Sequence, residues 1–149
     1  MTVGEFCNRE VVVAERDTTI VEAAKLMRQY HVGDLVVVDR RGHMTIPVGI
    51  ITDRDIVVEL IAKEVNLDAA YAGDIMSRSL ITAGVKDGIL DTLQKMRAKG
   101  IRRLPVINDE GGLEGILAID DVLELLSEEL SLLAKAALRG QEQEEKLRP

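Results

Sequence analysis

The chain contains the same segment twice. Gly4 through Asp39 aligns with Gly73 through Asn108 at a constant offset of 69, and eight of the 36 positions are identical: Gly4/Gly73, Arg9/Arg78, Ala14/Ala83, Ile20/Ile89, Met27/Met96, Arg28/Arg97, Leu35/Leu104 and Val37/Val106. Many other positions exchange like for like, as Val32/Ile101 and Val38/Ile107 do. After a connection three residues longer in the first copy, the alignment resumes at an offset of 66, with Gly49-Ile50-Ile51-Thr52-Asp53-Arg54-Asp55 against Gly115-Ile116-Leu117-Ala118-Ile119-Asp120-Asp121. Two copies are too few for an open solenoid, which needs about three or more. The natural alternative is a pair closed on itself about a pseudo-twofold axis. Such a pair sets two like crevices between the copies.

Length and charge narrow the functional classes. A chain of 149 residues suffices for one compact domain or two small halves sharing a core. The 26 acidic residues outnumber the 19 basic ones, for a net charge of −7. That balance argues against nucleic acid as a partner, because phosphate needs a basic face. No apolar run approaches the ~18 residues of a membrane span, and Met1-Thr2-Val3-Gly4-Glu5 lacks the features of a signal peptide. Cys7 is the only cysteine, which excludes an internal disulfide. A cytoplasmic protein is the expectation. With Phe6, Tyr30 and Tyr71 as the only aromatic residues, a ligand would be held mainly by aliphatic walls.

Periodicity gives each copy the order strand, helix, strand, strand, helix. In the first copy, Val11 to Ala14 reads as a buried strand. Thr19 and Glu22 have capping-box spacing ahead of a helix that buries Ile20, Ala23, Ala24 and Met27 and is broken by Gly33. Leu35–Val38 and Ile46–Ile51 read as a strand pair turned at Arg40-Arg41-Gly42-His43. A helix from about Asp53 to Lys63 is expected to bury Ile56, Val57, Leu60 and Ile61. In the second copy the strands are Leu80–Thr82, Leu104–Ile107 and Leu113–Leu117. One helix is lined by Ile89, Leu93 and Met96, and a final helix runs from near Ile119 to Leu138. The organisation is therefore a first copy over 2–64, a connector over 65–72, a second copy over 73–139 with an extended helix, and a flexible tail over 140–149.

Several constellations carry both a structural and a functional reading. Thr52-Asp53-Arg54-Asp55 stands where a strand meets a helix, and Thr52 with Asp55 has the spacing of a capping box. The same geometry suits a ligand. Free amides at a helix start attract anions, a hydroxyl can bond phosphate, and a carboxylate can accept both hydroxyls of a ribose. The second copy keeps Asp121 but has Ala118 at the capping position, a poor cap by about 1 kcal/mol. Arg102-Arg103 reads either as a solvated pair or as a phosphate clamp, since guanidinium forks match phosphate oxygens. The first copy has Gly33-Asp34 there, and Asp34 would repel an anion. The sites are thus expected to be unequal.

Other chemistry finds little support. His31 and His43 have no neighbouring ligand set, and Asp53 with Asp55 is weak evidence for magnesium. Cys7 aligns with Met76 and suits a small buried thiol. There is no Ser-His-Asp or Cys-His arrangement, no phosphate-binding loop and no dinucleotide glycine fingerprint. No catalytic residue and no metal site are assigned. The final helix carries Leu125, Leu126, Leu130, Leu132 and Leu133 on more than one face. It either contacts another subunit or folds back over its own domain.

Taken in order and twice over, these motifs make the chain resemble a pair of CBS domains, the cystathionine β-synthase type of regulatory module, from about Thr2 to Leu126. The matching segments are Gly73-Asp74-Ile75-Met76-Ser77, Asp17-Thr18-Thr19, Ile101-Arg102-Arg103-Leu104-Pro105-Val106-Ile107 and Gly49 through Asp55. The resemblance implies an α/β fold with two copies packed about a pseudo-twofold. It also implies an adenosyl ligand: AMP, ADP, ATP, NAD or S-adenosylmethionine. Carried over, it assigns the ribose to Asp55 with Thr52 in the Thr52-Asp53-Arg54-Asp55 motif, the phosphates to Arg102 and Arg103, and the base to Ile75 and Met76. The second, weaker site would comprise Asp121, Asp120 and Asp34. Similar modules pair into disc-shaped homodimers and regulate other proteins. No attached enzyme, channel or transporter is expected here, so the regulated partner would be a separate protein. The competing reading is a ligand-free dimerisation scaffold with decayed sites.

Overall fold

The computed structural model describes residues 1–77 and 79–148. The Arg9/Arg78 identity therefore has one member outside the described residues. In chain order the elements are α1 (Val3–Phe6), β1 (Val13–Glu15), α2 (Ile20–Tyr30), β2 (Asp34–Arg41), β3 (Met44–Thr52), α3 (Asp53–Asp55), α4 (Ala72–Ile75), β4 (Ala83–Gly84), α5 (Ile89–Lys99), β5 (Arg103–Ile107), β6 (Leu113–Ala118) and α6 (Ile119–Leu147). A π-helical segment, Ile56–Ile61, continues α3, and a 3₁₀ turn, Leu67–Ala69, precedes α4. Two three-stranded sheets result, β1-β2-β3 and β4-β5-β6. Each has a parallel pair followed by an antiparallel pair. Even the register irregularity repeats, at Val37/Val38 and at Val106/Ile107.

The repeat is expressed as a reciprocal exchange. The amides of Val3 and Gly4 donate to the carbonyls of Asp87 and Val85 at 2.8 and 2.9 Å. The amides of Ala72 and Gly73 donate to Thr18 and Arg16 at 2.8 and 3.0 Å. Asn8 donates to Ile116 at 2.9 Å, and its counterpart Ser77 donates to Ile50 at 3.0 Å. Each copy's opening helix thus packs on the other copy's sheet. The two cores follow this exchange and not the chain boundaries. Ala72 and Met76 join Leu35, Val37 and Ile51 in the first core. Val3, Phe6 and Cys7 join Leu104, Val106 and Leu117 in the second. The identity Gly4/Gly73 has a steric cause: a Cβ at Gly4 would lie 2.9 Å from the Val85 carbonyl oxygen, and one at Gly73 3.0 Å from that of Arg16. Successive strand residues face opposite sides. Val36 and Val38 alternate with Leu35 and Val37 and are equally buried, so the first sheet is covered on both faces.

Several sequence expectations are corrected. Glu22 and Thr19 do form the expected capping box, but α2 ends in a left-handed residue at His31, φ 55°, and not at Gly33. His31 occupies the position that Gly100, φ 65°, fills after α5. Ala24 is exposed, while Leu26 packs against the core instead. Val11-Val12 and Leu80-Ile81 are not strand residues: β1 and β4 start later, at Val13 and Ala83. Past α3 the amides of Ala62 and Val65 reach five residues back to Val57 and Leu60. This wider winding buries Ile56 and Leu60 but leaves Val57 and Ile61 each 54% exposed. The final helix does not stop near Leu138. It runs to Leu147, because Gln141 to Leu147 is composed of good helix formers apart from its charge. Nor does it fold back, since Leu126, Leu130, Leu132, Leu133 and Leu138 are all exposed. Among the described residues no helix is long and apolar enough to cross a membrane.

Candidate functional site

The pseudo-symmetry leaves a crevice on each side of the axis where the copies meet. The first has a volume of about 370 Å³. Ile50, Leu80, Ile81 and Ile101 form its aliphatic walls, and Thr52 through Asp55, Ser77, Ser79, Arg102 and Arg103 supply its polar surface. Leu80-Ile81 reads as a strand in the sequence because a wall facing a crevice is as apolar as a buried strand.

Thr52 ends β3 and caps α3. The Asp55 amide donates to Thr52 Oγ1 at 3.1 Å, and the Thr52 amide donates to Asp55 Oδ2 at 3.0 Å. The structural reading of this motif therefore holds. It leaves room for the functional one, because among the described residues Asp55 Oδ1 receives no other donor. Asp53 lies over Gly33, where a Cβ would be 3.2 Å from Asp53 Oδ2, and the Asp53 amide donates to the Gly33 carbonyl at 2.9 Å. The small residue leaves room for the Asp53 side chain beside the start of β2, within the first copy. Ala118 caps α6 without a side-chain hydrogen bond.

Both arginines line the first crevice, but each is held by an acid. Arg103 Nη1 donates to Asp34 Oδ1 at 2.6 Å, with side chains 30% and 15% exposed. These are equivalent positions in the repeat, so the pair joins the two copies. Arg102 Nη2 donates to Asp120 Oδ1 at 2.7 Å, with 71% and 61% exposed. The expectation that Asp34 stands as an unpaired, repelling carboxylate is thus corrected: the arginine opposite neutralises it. Burial pushes the Asp34 carboxyl up from its ordinary pKa; Arg103 opposes that rise, and Asp53 and Asp121 add to it.

The second crevice, about 380 Å³, lies around Asp121. Val11, Val12, Val32 and Ile116 wall it, and Glu10, Asp34, Asp53, Asp120 and Asp121 line it together with Arg103. Gly33, Asp53 and Arg103 line both crevices. Asp34, Asp120 and Asp121 of the expected second site thus meet in one crevice, together with Arg103, which the sequence assigns to the first site alone.

Ile75 and Met76 do not line the first crevice. Both pack into the first core with α4, and Met76 lies against Gly49, where a Cβ would meet Met76 Sδ at 2.6 Å. The wall on that side belongs to Ser77, Ser79, Leu80 and Ile81, a few residues further along. Only the path of the backbone beyond Met76 decides this. The serines carry no periodicity, though their alignment with Asn8 and Glu10 of the second crevice is a usable signal. Cys7 is half-buried opposite Gly115. Among the described residues no group of three or more His, Cys, Asp or Glu side chains could hold a metal.

The fold is a tandem α/β pair with a crevice on each side of its axis, and comparison with known proteins gives its family. The CBS domain family model matches residues 3–62 and 72–128, and the chain belongs to that family as a domain pair. It is 37% identical over 125 residues to protein MK0525 of Methanopyrus kandleri, covering 84% of this chain and 62% of that one. The crystal structure of a conserved protein from Pyrococcus horikoshii superposes with a TM-score of 0.73 at 30% identity, covering 83% of this chain and 90% of that one. The CBS domain pair of protein MJ0100, solved in complex with 5′-methylthioadenosine and S-adenosyl-L-methionine, superposes with a TM-score of 0.73 at 27% identity. That match covers 87% of this chain and 98% of that one.

Proposed function

We propose that the chain is a regulatory module that binds an adenosyl ligand in the Asp55 crevice and signals to a separate protein. The observation that carries this reading is the convergence of a capped helix start, a carboxylate and two arginines on one aliphatic cleft. Its volume of about 370 Å³ falls within the usual range for small-ligand sites. Asp55 accepts the ribose hydroxyls beside Thr52. The base lies between Ile50, Leu80, Ile81 and Ile101, in place of the expected Ile75 and Met76. Phosphates reach Arg102 and Arg103. AMP, ADP and ATP fit this charge pattern best, with NAD and S-adenosylmethionine as further candidates. The complex that MJ0100 forms with adenosyl compounds supports the ligand class. Ligand binding shifts the relation of the two copies only to the extent that it favours one arrangement over another. The module acts as a homodimer through the exposed leucines of α6, and not as an enzyme.

One observation favours the scaffold alternative: both arginines are already paired with acids. Calorimetric titration with AMP, ATP, NAD and S-adenosylmethionine separates the two. Saturable heat with at least one of them supports the sensor, and silence with all four supports the scaffold.

A further inference from the structure

Each arginine of the first crevice is held by a carboxylate that lines the second. Arg103 bonds Asp34 and Arg102 bonds Asp120, and both acids belong to the Asp121 crevice. Each guanidinium gives one nitrogen to its acid, and turning the fork squarely onto a phosphate draws it away from that acid. We propose that Asp34 and Asp120 hold the arginines in reserve, so that the phosphate affinity of the first crevice is set from the second. This rests on the adenosyl reading of the first crevice given above.

The two pairs differ in how easily they exchange. Arg102–Asp120 is well exposed on both sides, and such pairs are weak and readily replaced. Arg103–Asp34 is largely shielded. Withdrawing Arg103 leaves a poorly hydrated carboxylate facing Asp53 and Asp121, the two groups that already oppose its ionisation. Leaving a buried charge without its partner is strongly unfavourable. A phosphate in the first crevice therefore gains Arg103 at the expense of Asp34.

A cation entering the second crevice removes that conflict. It takes over the carboxylates, and the arginines turn to the phosphate. Linkage makes the effect mutual: an anion in the first crevice raises the affinity of the second for a cation by the same factor. The chemistry that fits the second crevice is an adenosyl compound bearing a sulfonium or ammonium group. No movement of the sheets is required, because the arginine side chains carry the coupling.

The test compares AMP with adenosine, which lacks the phosphate, by calorimetry on the full chain. In Asp34→Asn the amide can still accept from Arg103 but carries no charge, and Asp120→Asn alters only the exposed pair. The ratio of AMP to adenosine affinity is expected to rise at least ~5-fold in Asp34→Asn, and further in the double variant, by a coupling of ordinary size. An unchanged or lower ratio in the double variant overturns the proposal. Adenosine binding with an unmoved ratio overturns the coupling alone. Absence of binding by both AMP and adenosine overturns the adenosyl reading as well.

Discussion

Gly115→Ala tests the exchange of opening segments that builds the crevices. Gly115 lies in β6, and a Cβ there would sit 2.7 Å from the Asn8 carbonyl oxygen and 2.8 Å from Cys7 Sγ. Asn8 is tied to Ile116 by two backbone hydrogen bonds, at 2.9 and 2.8 Å, so the obstructing oxygen cannot swing aside without loosening them. Overpacking of this kind costs about 1–3 kcal/mol. Weakening the two bonds adds up to about 0.5–1.5 kcal/mol each. A loss of about 3 kcal/mol follows, a large part of the 5–15 kcal/mol that holds a typical domain together. At this chain length about 1 kcal/mol moves the melting temperature by roughly 2–4 °C, so a fall of about 6–12 °C is expected. Hydrogen exchange should accelerate at the Asn8 and Gly4 amides before it does so in β2. Gly140→Ala is the control: it has open space around it within α6 and should gain up to about 1 kcal/mol. A Gly115→Ala protein that melts within 2 °C of the parent, with Asn8 exchange unaltered, would refute the packing of the opening segment on the second sheet.

Three further outcomes are expected. Thr52→Ala removes a cap that bonds Asp55 and should cost about 1 kcal/mol by thermal melting, whereas Ala118→Thr should stabilise the start of α6 by a similar amount. Light scattering should return twice the chain mass of 16.4 kDa, and Leu130→Glu with Leu133→Glu should return the single chain; a parent that is monomeric at micromolar concentration contradicts the α6 interface. AMP should bind at one site per chain with an affinity that Arg103→Ala lowers about tenfold, or 1.4 kcal/mol; two equal sites insensitive to that change would contradict the inequality of the crevices.

The sequence shows the repeat, and the repeat carries most of the fold. Offsets of 69 and 66 correctly align Gly4 with Gly73, Leu35 with Leu104 and Asp55 with Asp121, and these pairs occupy equivalent places in the opening helices, the sheets and the first turns of α3 and α6. Alignment does not reveal which sheet an opening helix joins. A helix as short as Val3–Phe6 has the same apolar pattern whether it packs on its own copy or on the other. Ile75 and Met76 are a separate case: α4 joins the expected first copy but turns them into its core and leaves the crevice to Ser77 and Ser79. Val11-Val12 and Leu80-Ile81 show a second limit, because a crevice wall and a buried strand exclude water alike. His31 shows a third. Its left-handed backbone is visible in the sequence only through its alignment with Gly100. The asymmetry of Arg102-Arg103 against Gly33-Asp34 is plain in the sequence, but the contact of Arg103 with Asp34 depends on how the copies meet.

Thr52 and Asp55 are proposed to serve a ligand as well as a helix. Calorimetric titration of AMP into the parent chain and into Asp55→Ala, each first shown to be folded by its melting curve, tests it most directly. Saturable binding to the parent is expected, with a loss of at least tenfold, about 1.4 kcal/mol, in the variant. Equal affinity in the two proteins, or no binding to a folded parent, would contradict it.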